Sequence, residues 1–182
     1  MKEMTAGNLR SAYGGESMAH MRYLAWADKA EKEKLPNVAR LFRAVSFAEQ
    51  VHATNHFTVM KDVAGGFAVT AGGGFGLGST SENLKGAIEG EVFEIEEMYP
   101  AYLKVAELQE EKHAVRSMNW ALEAEKTHAE FYHKAKEAVD SGKDADLGAV
   151  SVCDTCGYTH TGDPLERCPV CQSLWKRFKV FA

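Results

Sequence analysis

The sequence predicts an all-α four-helix bundle with one long crossover, followed by a small β-rich metal-knuckle module at the C-terminus. Three observations predict it. Four long segments carry apolar residues at helical spacing. A glycine-rich stretch separates the second segment from the third, while the other helix connections are only a few residues long. All four cysteines fall within the last 30 residues, as two CxxC pairs.

The first helix is expected over 5–33, on a stripe through Leu9, Ala12, Tyr13, Tyr23, Leu24 and Ala27. The second runs over 36–63, where Pro36 suits a first turn and Val38, Leu41, Phe42, Val45, Val59 and Met60 mark the stripe. The third, over 81–110, follows Leu84, Ile88, Ile95, Met98 and Tyr102, with a Ser or Thr before Glu82 as its cap. The fourth, over 112–140, follows Met118, Ala121, Leu122, Ala129 and Tyr132. Short links make helices one and two antiparallel neighbours, and likewise three and four. Between the pairs lies AGGFAVTAGGGFGLGSTS, with seven glycines from Gly65 to Gly78. It fits neither GxGxxG nor GxxxxGK[ST], so a phosphate cradle is rejected. One long crossover in a four-helix bundle is the ferritin-like topology. Residues 1–145 are read as the bundle domain and 146–182 as linker and knuckle domain. The last 32 residues are too few for an independent core and need a staple, which the cysteines supply.

Bulk properties narrow the class. The chain has 182 residues, 45% of them hydrophobic, enough for a real core. No apolar run approaches the ~18 residues of a membrane span. The N-terminus lacks an apolar secretory core, so a cytoplasmic location is expected, with no membrane partner. Net charge is −5; residues 151–182 hold four Lys/Arg and three Asp/Glu, leaving −6 on the rest. No basic stripe marks a nucleic-acid surface.

The chemistry lies in EQVH (Glu49–His52) and EKTH (Glu125–His128), each pairing a carboxylate and an imidazole one helical turn apart on an apolar stripe. Glu16 on helix one and Glu91 on helix three sit mid-stripe in the same way, with Glu94 one turn from Glu91. A single ExxH is ordinarily a surface ion pair. Five glutamates and two histidines on four stripes are not, because each unpaired buried carboxylate costs several kcal/mol. Two divalent cations would offset them. In ferritin-like di-metal proteins, one Glu comes from each of two helices and ExxH from each of the other two. Glu16 and Glu91 are the single glutamates here; Glu49/His52 and Glu125/His128 are the pairs. Oxygen ligands with one imidazole per metal suit iron or manganese. His56, one turn further along helix two, is read as a hydrogen-bonded core residue.

AYGGESMAHMRY, AEQVHA, ENLKGAIEGEVFEIEEMYP and EAEKTHAEFY resemble the helix motifs of the rubrerythrin family, from about residue 5 to the C-terminus. The resemblance implies an ExxE on helix three, matched by Glu91 and Glu94. It implies that one iron exchanges between Glu94 and His52 as its oxidation state changes. It also implies that Tyr23 and Tyr99 hydrogen-bond near the ligands.

Cys153, Cys156, Cys168 and Cys171 form CxxC–x11–CxxC, four thiolates for one tetrahedral ion. Zinc and iron both fit such a site. Similarity to rubredoxin knuckles, and a di-iron centre's need for an electron source, favour iron. Tyr158, Trp175, Phe178 and Phe181 are expected as the module's small core. The resemblance implies two irons in a carboxylate-bridged centre and one in the four-cysteine site. The implied activity is a hydrogen peroxide reductase of oxidative stress defence. The implied assembly is a homodimer or higher homo-oligomer in which one chain's four-cysteine site feeds its neighbour's di-iron site. Rubredoxin or a separate NAD(P)H-dependent reductase is the implied donor. The rivals are a ferroxidase and iron store with a zinc tail, a zinc-ribbon adaptor, and an oxygen-activating hydroxylase, which needs an apolar substrate pocket.

Overall fold

A computed structural model describes residues 1–182. Its helices are α1 (Glu3–Lys32), α2 (Pro36–Val59), α3 (Thr80–Phe93), α4 (Tyr99–Leu108) and α5 (Lys112–Asp140). The third predicted helix is therefore interrupted: a π turn at Glu94–Met98 joins α3 to α4. The extra residue of a π turn re-aims the side chains around it, and such turns concentrate at functional sites. Predicted ends hold to within a few residues, except that α2 stops at Val59 rather than 63.

Local chemistry explains the starts. Pro36 opens α2. Asp144 of the linker accepts from the backbone N–H groups of Asn37 and Val38 at 2.8 and 3.2 Å, placing an acid on that helix start. At α3, Ser79 and Glu82 form a reciprocal capping box.

The bundle core is aromatic and alanine-rich. Tyr23, Trp26, Phe42 and Tyr132 pack with ring centroids 5.3–5.9 Å apart. Alanines such as Ala27, Ala44 and Ala48 let the helices approach. The crossover lies along α1: Ser11 donates to the Thr70 carbonyl at 2.8 Å, and the Trp26 indole to that of Gly76 at 2.9 Å.

The tail forms a three-stranded antiparallel sheet of order β2-β1-β3, from β1 (Val150–Cys153), β2 (Thr159–Thr161) and β3 (Phe178–Phe181). It folds back onto the bundle, and Val150 and Val152 join the bundle's own core. The expected module core is partly corrected. Trp175 and Phe178 stack at 4.4 Å, and Tyr158 and Phe178 pack near the cysteines. Phe181 instead packs on Phe47 of α2, with centroids 6.0 Å apart. No helix is long and apolar enough to cross a membrane.

Candidate metal centres

Helices α1, α2, α3 and α5 each bring a glutamate to one buried locus. Glu16, Glu49, His52 and Glu125 place one ligand atom each within 4.8 Å of one another. Glu49, Glu91, Glu125 and His128 do the same. Glu49 and Glu125 belong to both groups, which is the position of bridging carboxylates. Both histidines turn Nδ1 inward. His52 Nδ1 lies 2.8 Å from Glu125 and 3.1 Å from Glu49; His128 Nδ1 lies 2.6 Å from Glu125. Glu94 stands outside both groups, at the start of the π turn.

Phenol donors hold the carboxylates. Tyr23 donates to Glu91 Oε1 at 2.7 Å, and Tyr99 donates to Glu16. His56 spans Ser117 Oγ (2.8 Å) and the Tyr99 hydroxyl (2.9 Å), so it braces Tyr99.

The electrostatics show a cluster that needs cations. Burial, and then the charges of its acidic neighbours, push Glu49, Glu91 and Glu94 well above the usual carboxylate range. Burial raises Glu125 as well. Burial also works to raise Glu16, but the bond and charge of His52 outweigh it and hold Glu16 at about 2. For His52, burial acts downward and the charge of Glu125 overrides it, so its pKa rises. His128 and His56 are pushed down to about 4, chiefly by burial. His52 Nδ1 is the one nitrogen near both Glu125 Oε1, at 2.8 Å, and Glu16 Oε2, at 3.8 Å, so these buried oxygens share a single proton at most and neither is fully satisfied. Under-satisfied carboxylate oxygens at the centre of an acidic cluster fit metal ions.

The cysteines make the second centre. Cys153 and Cys171 sulfurs lie 3.6 Å apart, those of Cys156 and Cys168 3.5 Å, and all four are within 4.8 Å. A tetrahedral ion with bonds of about 2.3 Å has sulfur–sulfur edges of about 3.8 Å.

The two centres touch through the tail. His128 Nε2 lies 2.8 Å from Thr159 Oγ1, whose hydroxyl donates to the Gly157 carbonyl at 3.1 Å. Gly157, next to Cys156, adopts φ +83°, and a methyl there would overlap His52. Asn55 clamps the knuckle by donating to the Thr155 carbonyl at 2.9 Å. In the single chain the tail lies on this face of its own bundle. The linker is short, and burial of Ala145, Val150 and Val152 in the bundle directs it there.

The sequence pattern of the family described as Rubrerythrin matches residues 7–136. This chain belongs to the rubrerythrin family. The pattern of the rubrerythrin rubredoxin-like domain matches residues 152–179. Rubrerythrin-2 of Clostridium acetobutylicum is 48% identical over 98% of this chain and 97% of its own length. Nigerythrin of Nitratidesulfovibrio vulgaris is 32% identical over 92% of this chain and 81% of its own. The solved structure of fully reduced, all-ferrous nigerythrin superposes with a TM-score of 0.87 at 30% identity, covering 100% of this chain and 88% of that one. As a rubrerythrin, the chain carries a di-iron carboxylate site and a rubredoxin-like four-cysteine iron site. Thr159, Ser117 and Asn55 carry no signal in the sequence, because their roles arise only when the tail docks and the helices pack; Gly157 is legible there as the small residue after Cys156, but not its approach to His52.

Proposed function

We propose that this rubrerythrin reduces hydrogen peroxide to two waters, with electrons relayed through its rubredoxin-like site. One observation carries the reading: the knuckle is seated against both histidines of the carboxylate cluster, through Gly157 at His52 and Thr159 at His128. An iron store has no use for that contact. A centre that must be re-reduced after each turnover does.

Bound iron supplies the chemistry of two electrons, one from each ferrous ion, to match the two that peroxide needs. The chain's residues do the rest. Glu49 and Glu125, shared by both groups, would be held in common by the two ions, and Glu16 with His52, and Glu91 with His128, would complete the two ligand sets. Tyr23 and Tyr99 donate to the terminal carboxylates Glu91 and Glu16 and fix their orientation. Because the Thr159 hydroxyl donates to the Gly157 carbonyl, His128 Nε2 carries the proton and donates to Thr159, which would leave Nδ1 free to hold a metal. This links a ligand of one centre to the residue beside Cys156 of the other. Glu94, outside the cluster while His52 is within it, would be the carboxylate that takes the place of His52 when the oxidation state of a bound iron changes.

Electron delivery runs across the contact between knuckle and histidines, in an assembly that is a homodimer or larger homo-oligomer in which one chain's cysteine site serves its neighbour's di-iron site. Rubredoxin or a separate NAD(P)H-dependent reductase refills the cysteine site, and the setting is cytoplasmic oxidative stress defence. A ferroxidase with a structural zinc tail is the alternative.

Anaerobic stopped-flow reoxidation of fully reduced protein separates them. Fast oxidation by peroxide, slow oxidation by dioxygen, and bleaching and return of a thiolate–iron band are expected. Faster reaction with dioxygen and no thiolate–iron band would establish the ferroxidase.

A further inference from the structure

We infer that the cleft between α1 and α3 binds an organic hydroperoxide of apolar body, making ROOH a substrate alongside hydrogen peroxide. This rests on the peroxidase reading and names a substrate class for the same centre.

The cleft measures about 670 Å³, with Trp26, Phe93 and Met98 among its walls and the crossover along its rim. Hydrogen peroxide needs little more room than a water, whose share of liquid volume is about 30 Å³. Sites for larger organic ligands span about 300–1,000 Å³.

The space is built, not left over. Gly15 of α1 and Gly90 of α3 line it from within helices, where glycine is destabilising relative to alanine. A Cβ at Gly15 would meet nothing within 4 Å, and one at Gly90 only Arg22 and the Tyr23 hydroxyl, both at 4.0 Å. Close packing therefore does not demand glycine at either position. It does at Gly14, where a Cβ would stand 2.9 Å from Val69 of the crossover. What Gly15 and Gly90 preserve is the cleft.

Its polar groups fit a hydroperoxide. Arg22 lines the wall, pairs with no carboxylate, and has a buried Nε without an acceptor. One of its terminal nitrogens reaches the Gly74 carbonyl at 3.3 Å. The guanidinium is free to donate to a hydroperoxide oxygen. Glu94 lines the same cleft, one turn from Glu91 of the carboxylate cluster. An O–O group held near Glu94 borders the metal ligands while its organic body rests on Trp26, Phe93 and Met98. The reaction is ROOH + 2 e⁻ + 2 H⁺ → ROH + H₂O. The O–O bond breaks, the electrons come one from each ferrous ion, and the protons come from solvent.

The test uses iron-loaded protein with cumene hydroperoxide, hydrogen peroxide, and the product alcohol 2-phenyl-2-propanol. Wild type should be oxidised by both peroxides, and the oxidised protein should bind the alcohol saturably, read as a change in tryptophan fluorescence. Gly15→Leu extends into the cleft from a Cβ that itself meets nothing within 4 Å; native helicity and both iron chromophores check its folding. It should weaken alcohol binding, and lower kcat/KM for cumene hydroperoxide relative to hydrogen peroxide, each by about tenfold or more. Oxidation by hydrogen peroxide alone, with no saturable alcohol binding, overturns the inference and leaves the peroxidase reading standing. Equal effects of Gly15→Leu on both peroxides overturn it as well. Failure of both peroxides to oxidise wild type overturns the peroxidase reading itself and this one with it.

Discussion

Thr159 carries a single hydroxyl between a di-iron ligand and the rubredoxin-like knuckle, accepting from His128 and donating to Gly157. Thr159→Val keeps the shape and removes both bonds. Loss of such an outer partner of a ligating histidine lowers metal affinity or activity about 10–100-fold. The expected result is an unchanged thiolate–iron spectrum with weaker iron retention or slower peroxide turnover, measured by iron titration and stopped flow. Glu94→Ala addresses the proposed ligand exchange. Glu94 makes none of the cluster's contacts here, so folding should be spared while peroxide turnover slows. Turnover equal to wild type would remove Glu94 from the mechanism. The cluster residues were legible in the sequence because helical periodicity projects i and i+3 onto one face, and because carboxylates on apolar stripes demand a cation. Thr159 was not legible. A threonine in a short strand gives no signal until tertiary docking brings it 2.8 Å from a histidine 31 residues away.

Elements explain how those residues come to meet. The π turn lies between the buried Glu91 and the buried Tyr99, and it leaves Glu94 at the cleft instead of in the cluster. Sequence periodicity read one continuous helix because a single inserted residue barely alters the apolar pattern. The capping box that starts α3 was legible, since Ser79 and Glu82 stand at the required spacing. Ser79→Ala should cost about 1 kcal/mol and lower Tm by about 2–4 °C for a chain of this size, read by thermal denaturation of iron-loaded protein. At the tail, the turn after Cys156 depends on Gly157 twice: for its left-handed φ and for its approach to His52. Gly157→Ala should lift the knuckle off the bundle without dissolving the four-cysteine site. Hydrogen exchange at the Thr159 amide should quicken, and reoxidation of the cysteine iron by peroxide should slow, with the di-iron spectrum retained.

The whole molecule encloses a set of acids that it cannot hold ionised alone, and this sets how its stability responds to metal and pH. The first 150 residues carry −6, and four glutamates of the two ligand groups are buried at one locus. In the metal-free protein, Glu49, Glu91, Glu94 and Glu125 have folded pKa values above the ordinary carboxylate value, chiefly through burial. A carboxyl whose folded pKa is raised favours the folded state fully below its unfolded pKa. That contribution is lost as pH rises through the folded pKa. Glu16 works the other way, since its lowered pKa favours folding at all pH values well above about 2. It therefore changes little between pH 5 and 7. His52, with a raised pKa, also favours folding most strongly at the acid side. His128 and His56, pushed down to about 4, oppose this: they favour folding at pH 7, and that contribution shrinks as pH falls toward 5. Four raised acids and His52 outweigh these two histidines, so metal-free protein should be more stable at pH 5 than at pH 7. Iron-loaded protein should show the opposite slope, because protons compete with iron for the same carboxylates and imidazoles. Urea unfolding of both forms at the two pH values measures this directly. A metal-free protein equally stable at pH 5 and 7 would mean that the buried acids do not repel one another, and the need for cations argued from the sequence would fail.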